Sequence, residues 1–155
     1  MDIADFLSRS EVMLDVRASD KARLLQELAG RAAAKLDLAS DAVAEALLKR
    51  EELGSTGTGA GIAFPHARLP GVRKPFAMLA RLARAIDFDA IDGRPVDIVC
   101  LLLLPTNTPG GQLNALACAA RTLRDPDTVA GVRRAGDDAA LYAAVAKRPA
   151  KSKPG

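Results

Sequence analysis

The stretch VDIVCLLLL, residues 96–104, is almost continuously apolar. A strand of this composition buries both of its faces, which is typical of a central strand in a sheet that helices cover on either side. Asp92-Gly93 precedes it as a tight-turn signal, and a loop rich in turn residues follows over 105–111. This stretch therefore predicts an α/β fold with residues 96–104 in the middle of the sheet.

Shorter strands are predicted upstream of this central strand. Residues 76–82 are largely apolar, and residues 86–91 alternate apolar with acidic side chains, as in a strand with one buried face. Residues 62–65 form another short apolar segment, which leads directly to His66. His66 is thus expected close to the end of a strand, where α/β sheets commonly place their functional sites.

Helical patterns lie before and after the strands. Ser19 is the predicted N-cap of a first helix, and a second is predicted from a cap at Ser40 to Leu53, with Gly54 just beyond its end. Three more helices are predicted over residues 113–123, 129–134 and 137–146. The order predicts one α/β domain over residues 1–146, a mixed sheet with helices on both faces.

Composition excludes several classes of function. The chain has 155 residues, 49% hydrophobic and 26% charged, as in ordinary globular domains. Much of the net charge of +3 comes from residues 147–155, which we expect to be a disordered basic tail, so the nearly neutral body argues against nucleic-acid binding. The longest apolar run, residues 98–105, is too short to insert in a membrane. Without a signal-peptide pattern, the predicted location is the cytoplasm. One histidine and two distant cysteines predict no metal site, and no cofactor site is visible.

The stretch GSTGTGAG, residues 54–61, predicts a loop that brings backbone close to a partner group. It does not fit the nucleotide-binding patterns. A P-loop needs Lys-Ser or Lys-Thr after its last glycine, where this chain has Ile62-Ala63, and a dinucleotide fingerprint needs Gly or Ala at position 62. The loop also follows a helix and precedes a strand, the reverse of both patterns.

Two interpretations of His66 remain open from the residues alone. It can be a packing residue held by hydrogen bonds, with the glycines making a turn. It can also be a nucleophile toward phosphorus, because a neutral imidazole nitrogen attacks well near pH 7. In that case Arg50 offers a planar fork suited to phosphate, and the glycine loop offers backbone N–H groups. Hydroxyls are available at Ser55, Thr56 and Thr58.

Residues 50–66, REELGSTGTGAGIAFPH, closely resemble the signature of phosphotransferase-system enzyme IIA domains of the fructose/mannitol class. The chain looks most like the nitrogen-regulatory members of that class. The run IDFDAID at 86–92, PVD at 95–97 and the segment 137–146 are also similar to the family. The resemblance covers nearly all of residues 1–146.

This resemblance implies a mixed sheet of about five strands between helices. It implies that His66 accepts a phosphoryl group from an HPr-like phosphocarrier protein and that Arg50 stabilises that group. The regulated partners it suggests are sensor kinases, potassium transporters or metabolic enzymes. The phosphate loop would consist of Gly54, Ser55, Thr56, Gly57, Gly59 and Gly61.

One position departs from the family pattern. Members commonly carry a second histidine, in a His-Leu pair, at the start of the helix after the central strand; here the pair is Gln112-Leu113. Glutamine can hydrogen-bond a phosphate but cannot be protonated. The sequence therefore predicts a histidine phosphocarrier and regulator of the nitrogen-related phosphotransferase system. The alternatives are a regulator that binds partners independently of phosphorylation and a sugar-transport IIA component.

Overall fold

The computed structural model describes residues 1–107 and 111–146, without the side chains of residues 111–113. Two single 3₁₀ turns, Ile3–Asp5 and Arg9–Glu11, precede the regular elements. The strands are β1 (Val12–Val16), β2 (Gly57–Gly59), β3 (Ile62–Ala63), β4 (His66–Arg68), β5 (Phe76–Ile86) and β6 (Val96–Leu104). The helices are α1 (Lys21–Leu36), α2 (Ser40–Glu52), α3 (Gly111–Thr122), α4 (Pro126–Arg134) and α5 (Asp138–Ala146).

The strands form one mixed sheet in the order β1-β5-β6-β3-β2, with β4 also paired to β6. β5 runs antiparallel to β6, whereas β3 and β4 run parallel to it and lie end to end along its other edge. Pro65 separates these two segments, and its carbonyl still accepts from the Leu102 N–H at 2.9 Å. Counting β3 and β4 as one interrupted strand, the predicted mixed sheet of about five strands is confirmed.

The central strand β6 explains why helices cover both faces. Its alternate residues Val99, Leu101 and Leu103 pack into the apolar layer under α1 and α2. The intervening residues Ile98, Cys100, Leu102 and Leu104 pack into the layer under α3, α4 and α5. All are essentially inaccessible to water, and burying each leucine side chain stabilises the fold by about 1.5–3 kcal/mol.

The strand predicted over 86–91 is wrong. β5 ends at Ile86, and the chain then turns because the Asp89 N–H bonds the Asp87 carboxylate at 2.9 Å while Asp89 takes a φ of 54°. Phe88 is buried completely from within this loop. Ile86, Phe88 and Ala90 are buried, whereas Asp87 and Asp89 are exposed. Burial therefore alternates as the sequence suggests, but past Ile86 a turn carries the alternation and not a strand.

Strand β1 was not predicted at all. It is a five-residue edge strand parallel to β5, and its register shifts between Met13 and Val16. Asp15 has a φ of 55° within this shift, a backbone conformation that L-residues rarely adopt in a strand. The bulge therefore breaks the alternation by which a strand is recognised in sequence.

Helix boundaries differ from the predictions by at most three residues, and the largest difference is at α4, which begins at Pro126 and not at residue 129. The N-cap of α1 is Asp20, not Ser19, because the Asp20 carboxylate accepts from the Arg23 N–H at 2.9 Å. Ser40 is the first residue of α2, whose N-cap is Ala39. Gly54 follows the C-cap residue of α2 as predicted, with a φ of 150°. The predicted tail, residues 147–155, lies outside the described residues.

Candidate functional site

His66 is the first residue of β4 and pairs with Leu102 of β6. Ala67, its neighbour, faces the layer under α1 and α2, so the half-buried imidazole lies on the opposite face of the sheet. Its Nδ1 is 2.8 Å from the carbonyl oxygen of Phe64. A carbonyl can only accept, so Nδ1 carries the hydrogen, and Nε2 keeps its lone pair.

The surroundings of His66 favour its neutral form. Burial lowers its pKa below the ordinary 6.5, and the positive charge of Arg50 lowers it further. The hydrogen bond to Phe64 and the negative charge of Glu51 raise it, without outweighing the lowering effects. At pH 7 the ring is therefore uncharged, as a nucleophilic nitrogen requires.

Arg50 lies in the last turn of α2 and donates from Nη1 to the Gly54 carbonyl at 2.9 Å. This bond satisfies a carbonyl just past the helix end, as cationic side chains at that end commonly do. The charge of Arg50 also acts on His66. Arg50 is thus near enough to His66 for its charge to affect the imidazole, while its hydrogen bond is to Gly54. The third predicted site residue, Gln112, is the second residue of α3, and its side chain lies outside the described part.

The predicted loop over 54–61 includes one short strand, β2, which pairs antiparallel with β3 to form a small hairpin. Its hydroxyls bond inside the protein. Ser55 Oγ donates to the Phe88 carbonyl at 2.6 Å, and the Thr56 hydroxyl donates to the Glu51 carboxylate. Thr58 Oγ1 lies 3.5 Å from the Ile62 carbonyl. These contacts fasten the hairpin to α2 and to the loop after β5.

Several backbone N–H groups of the same segment also have internal acceptors. Those of Gly54 and Thr56 bond the carbonyl and the carboxylate of Glu51, at 3.1 Å and 3.2 Å. That of Gly57 bonds Ser55 Oγ at 3.0 Å, and that of Ala60 bonds the Asp92 carboxylate at 3.0 Å. The phosphate-binding role predicted for this segment stays a prediction.

The glycines here allow close packing. A Cβ at Gly57 would lie 2.8 Å from the Cβ of Ala90. A Cβ at Gly61, whose φ is +83°, would lie 2.6 Å from Nη2 of Arg133. Arg133 binds both oxygens of Asp97, at 2.8 Å and 3.1 Å, and the Ala60 carbonyl at 2.9 Å. The hairpin tip is therefore clamped between the start of β6 and α4.

Glu51 and Lys21 lie beside the candidate site, and the sequence did not single them out. Glu51 is only 8% exposed, and its carboxylate lies 2.8 Å from Lys21 Nζ. A carboxylate at a helix C-terminus opposes the helix dipole, which is the one signal in the sequence that it has a specific partner. The identity of that partner depends on the folded arrangement of α1 against α2.

Other kinds of site find no support in the described residues. No three His, Cys, Asp or Glu side chains gather there to hold a metal ion. Cys100 is fully buried, which raises the pKa of its thiol to about 12, and burial also raises that of Cys118. No helix in the described ranges has the length and apolar character needed to cross a membrane.

Known proteins resemble the chain over almost its whole length. The family model described as "Phosphoenolpyruvate-dependent sugar phosphotransferase system, EIIA 2" matches residues 5–148. A nitrogen regulatory protein of Bradyrhizobium diazoefficiens is 43% identical over 150 residues, covering 97% of this chain and 98% of that protein. The crystal structure of the nitrogen regulatory protein IIA-Ntr from Neisseria meningitidis superposes with a TM-score of 0.86 at 31% identity, covering 92% of this chain and 98% of that one.

A more distant structure shares the fold alone. It is a complex of the mannitol enzyme IIA with phosphorylated mannitol enzyme IIB from Escherichia coli. It matches at 16% identity with a TM-score of 0.75, covering 91% of this chain and 96% of that one.

Proposed function

Because this chain belongs to the enzyme IIA type 2 family of the phosphoenolpyruvate-dependent phosphotransferase system, we propose that it accepts a phosphoryl group on Nε2 of His66 from an HPr-like phosphocarrier. The observation that carries the proposal is the 2.8 Å contact of Nδ1 with the Phe64 carbonyl. This contact fixes the hydrogen on Nδ1, orients the ring and leaves the Nε2 lone pair for attack.

The proposed step is an in-line displacement at phosphorus. As the Nε2 lone pair forms the new N–P bond, the bond between phosphorus and the donor's imidazole nitrogen breaks, and its electron pair returns to the donor ring. Nε2 has no proton to lose, so no general base is needed. The phosphorylated ring is then stabilised by the Nδ1–H bond to Phe64.

Arg50 is the proposed stabiliser of the transferring group. Charge on that group is spread over its equatorial oxygens, so catalysis depends on positioning and on nearby cations. Arg50 uses one N–H on Gly54, and a guanidinium has five in a planar fork. Gln112 replaces the second family histidine, so Arg50 would be the principal cation at the phosphoryl group.

Labelled phosphoenolpyruvate, enzyme I and an HPr-like carrier test the proposal directly. We expect label on the wild-type protein, none on His66→Ala, and slower labelling of Arg50→Ala than of Arg50→Lys. The position of the phosphoryl group follows from nitrogen NMR of the labelled ring. Equal label on wild type and His66→Ala would refute the proposal.

The proposed output is regulation by phosphorylation state. A phosphoryl group adds about −1.5 to −2 units of charge, enough to change a binding surface. Sensor kinases and potassium transporters are the proposed regulated partners. The proposed location is the cytoplasm, in which buried, reduced thiols such as Cys100 and Cys118 are the rule.

Gln112 favours a second candidate function. Without a protonatable group at that position, onward transfer can be slow, and the protein can act by binding partners in either phosphorylation state. Affinity capture with wild type and His66→Asp distinguishes the two. Identical partners for both variants support this second function, and different partners support the switch. A sugar-transport role would instead require transfer from His66 to an enzyme IIB, measurable with the same label.

A further inference from the structure

Three consecutive hydrogen bonds connect the imidazole of His66 to a buried carboxylate. His66 Nδ1 donates to the Phe64 carbonyl at 2.8 Å, and the Phe64 N–H donates to the Thr56 carbonyl at 2.9 Å. The Thr56 N–H in turn donates to Oε1 of Glu51 at 3.2 Å, and its hydroxyl donates to Oε2. The backbones of Phe64 and Thr56 thus lie between the ring and Glu51.

Glu51 is held in place from its other side by Lys21. Lys21 Nζ lies 2.8 Å from Oε1 of Glu51, donates to the Phe88 carbonyl at 3.3 Å and sits 4.8 Å from the centre of the Phe88 ring. The Phe88 carbonyl also accepts from Ser55. The N-terminus of α1, the C-terminus of α2, the hairpin and the loop after β5 therefore meet at one carboxylate.

A charge in such a place needs an explanation, because burial and the helix dipole both disfavour it. A neutral side chain could fill the same volume but could not accept from Lys21 and from both donors of Thr56. The carboxylate holds the backbone and the hydroxyl of Thr56 in place, the Thr56 carbonyl holds the Phe64 N–H, and His66 rests on the Phe64 carbonyl. The buried charge therefore sets the orientation of the groups that hold His66.

We propose that Glu51 is a positioning residue for His66, acting through Thr56 and the Phe64 carbonyl to hold the ring with Nε2 presented to the incoming phosphoryl group. The proposal rests on the proposed function of His66, and it deepens that function by naming what orients the acceptor. It gives Thr56 a supporting task behind the ring in place of direct contact with phosphate.

The electrostatics of the site give a second signature. Among the described groups, Arg50 and Glu51, neighbours on α2, are the charges that act on His66, and they act in opposite directions. Replacing Glu51 by a neutral residue leaves Arg50 unopposed. The pKa of His66 should then fall further, a change that loss of packing alone would not cause.

The experiment compares Glu51→Gln with Glu11→Gln. Glu11 is the matched control, because it is also a buried carboxylate, 6% exposed, with a lysine partner, Lys35 at 3.0 Å, and serine donors. Since His66 is the single histidine, its nitrogen NMR spectrum reports the tautomer and the titration midpoint without overlap. The rate of labelling from the phosphorylated carrier is measured on the same samples.

For Glu51→Gln we expect a lower titration midpoint, a mixed tautomer and a labelling rate reduced by about ten- to a hundredfold. Glu11→Gln should lose stability yet match wild type in all three. Unchanged midpoint, tautomer and rate in folded Glu51→Gln would overturn the proposal, as would equal changes in the control. If no variant and no wild type takes label, the proposed function fails, and the NMR readouts still decide the positioning.

Thr56 provides the variants to use if Glu51→Gln does not fold. Thr56→Val removes only the hydroxyl that donates to Glu51, whereas Thr56→Ser keeps it. We expect Thr56→Val to shift the His66 tautomer and slow labelling, and Thr56→Ser to do neither. Equal behaviour of the two variants would contradict a role through Glu51.

Discussion

Gly61 at the hairpin tip offers a substitution whose cost can be worked out from the structure. An alanine there keeps a φ of +83°, which costs an L-residue about 1–2 kcal/mol. Its Cβ would lie 2.6 Å from Arg133 Nη2 and 2.9 Å from Asp97 Oδ1, so the guanidinium must move. That movement breaks its hydrogen bonds to Asp97 and to the Ala60 carbonyl.

The Arg133–Asp97 pair is partly exposed, with side-chain accessibilities of 40% and 31%, so its loss costs only about 0.2–1 kcal/mol. The hydrogen bond to Ala60 adds about 0.5–1.5 kcal/mol. Together with the backbone strain, Gly61→Ala should lower the free energy of unfolding by about 2–4.5 kcal/mol.

Urea unfolding at neutral pH measures this loss, and Gly93→Ala is its control. Gly93 has a φ of +74° but no heavy atom within 4 Å of its virtual Cβ, so only the backbone strain of about 1–2 kcal/mol applies. Adding Arg133→Ala to both variants should remove most of the difference between them. Equal destabilisation by Gly61→Ala and Gly93→Ala would refute a stabilising role for the contacts of Arg133 with Asp97 and Ala60.

Three further predictions concern the pH dependence of stability, the core and a helix cap. The pKa of His66 is lower in the folded than in the unfolded state, so the unfolded state binds more protons below pH 6.5; stability should fall as pH drops through that value, and His66→Gln should flatten this part of the curve. Leu101 is fully buried in β6. Leu101→Ala should therefore lower the free energy of unfolding, measured in urea, by about 2–5 kcal/mol. Asp20→Ala should lower the free energy of unfolding by about 0.5–2 kcal/mol because Asp20 caps α1, whereas Ser19→Ala should leave it nearly unchanged. A larger loss of thermal stability for Ser19→Ala than for Asp20→Ala would contradict the assigned cap.

The parts of the fold that the sequence predicts are those in which one local pattern decides. Nine nearly continuous apolar residues between turn signals are typical of a strand with cover on both faces, so β6 and its helical layers could be predicted. The segment 86–91 has a pattern that is compatible with both a strand and a turn. The hydrogen bond from the Asp89 N–H to the Asp87 carboxylate stabilises the turn.

Some residues of the candidate site could likewise be predicted from the sequence, and others could not. His66 and Arg50 could be predicted as site residues because glycines and a Pro-His pair mark the chain between them, and their roles stay predictions. Glu51 could not, since its burial depends on Lys21 from another helix and on the hairpin folding over it. Nor does a count of glycines tell whether their N–H groups face a ligand or the protein's own acceptors.

The bulge in β1 has a consequence for how copies of the chain meet at high concentration. A sheet exposes hydrogen-bonding groups at its two outer strands, where another chain can add and begin aggregation. Here one edge strand, β1, is bent where Asp15 breaks its register, and the opposite edge is formed by β2 and β4, which have only three residues each. Neither offers a long flat template, so the fold discourages strand addition between copies without relying on surface charge.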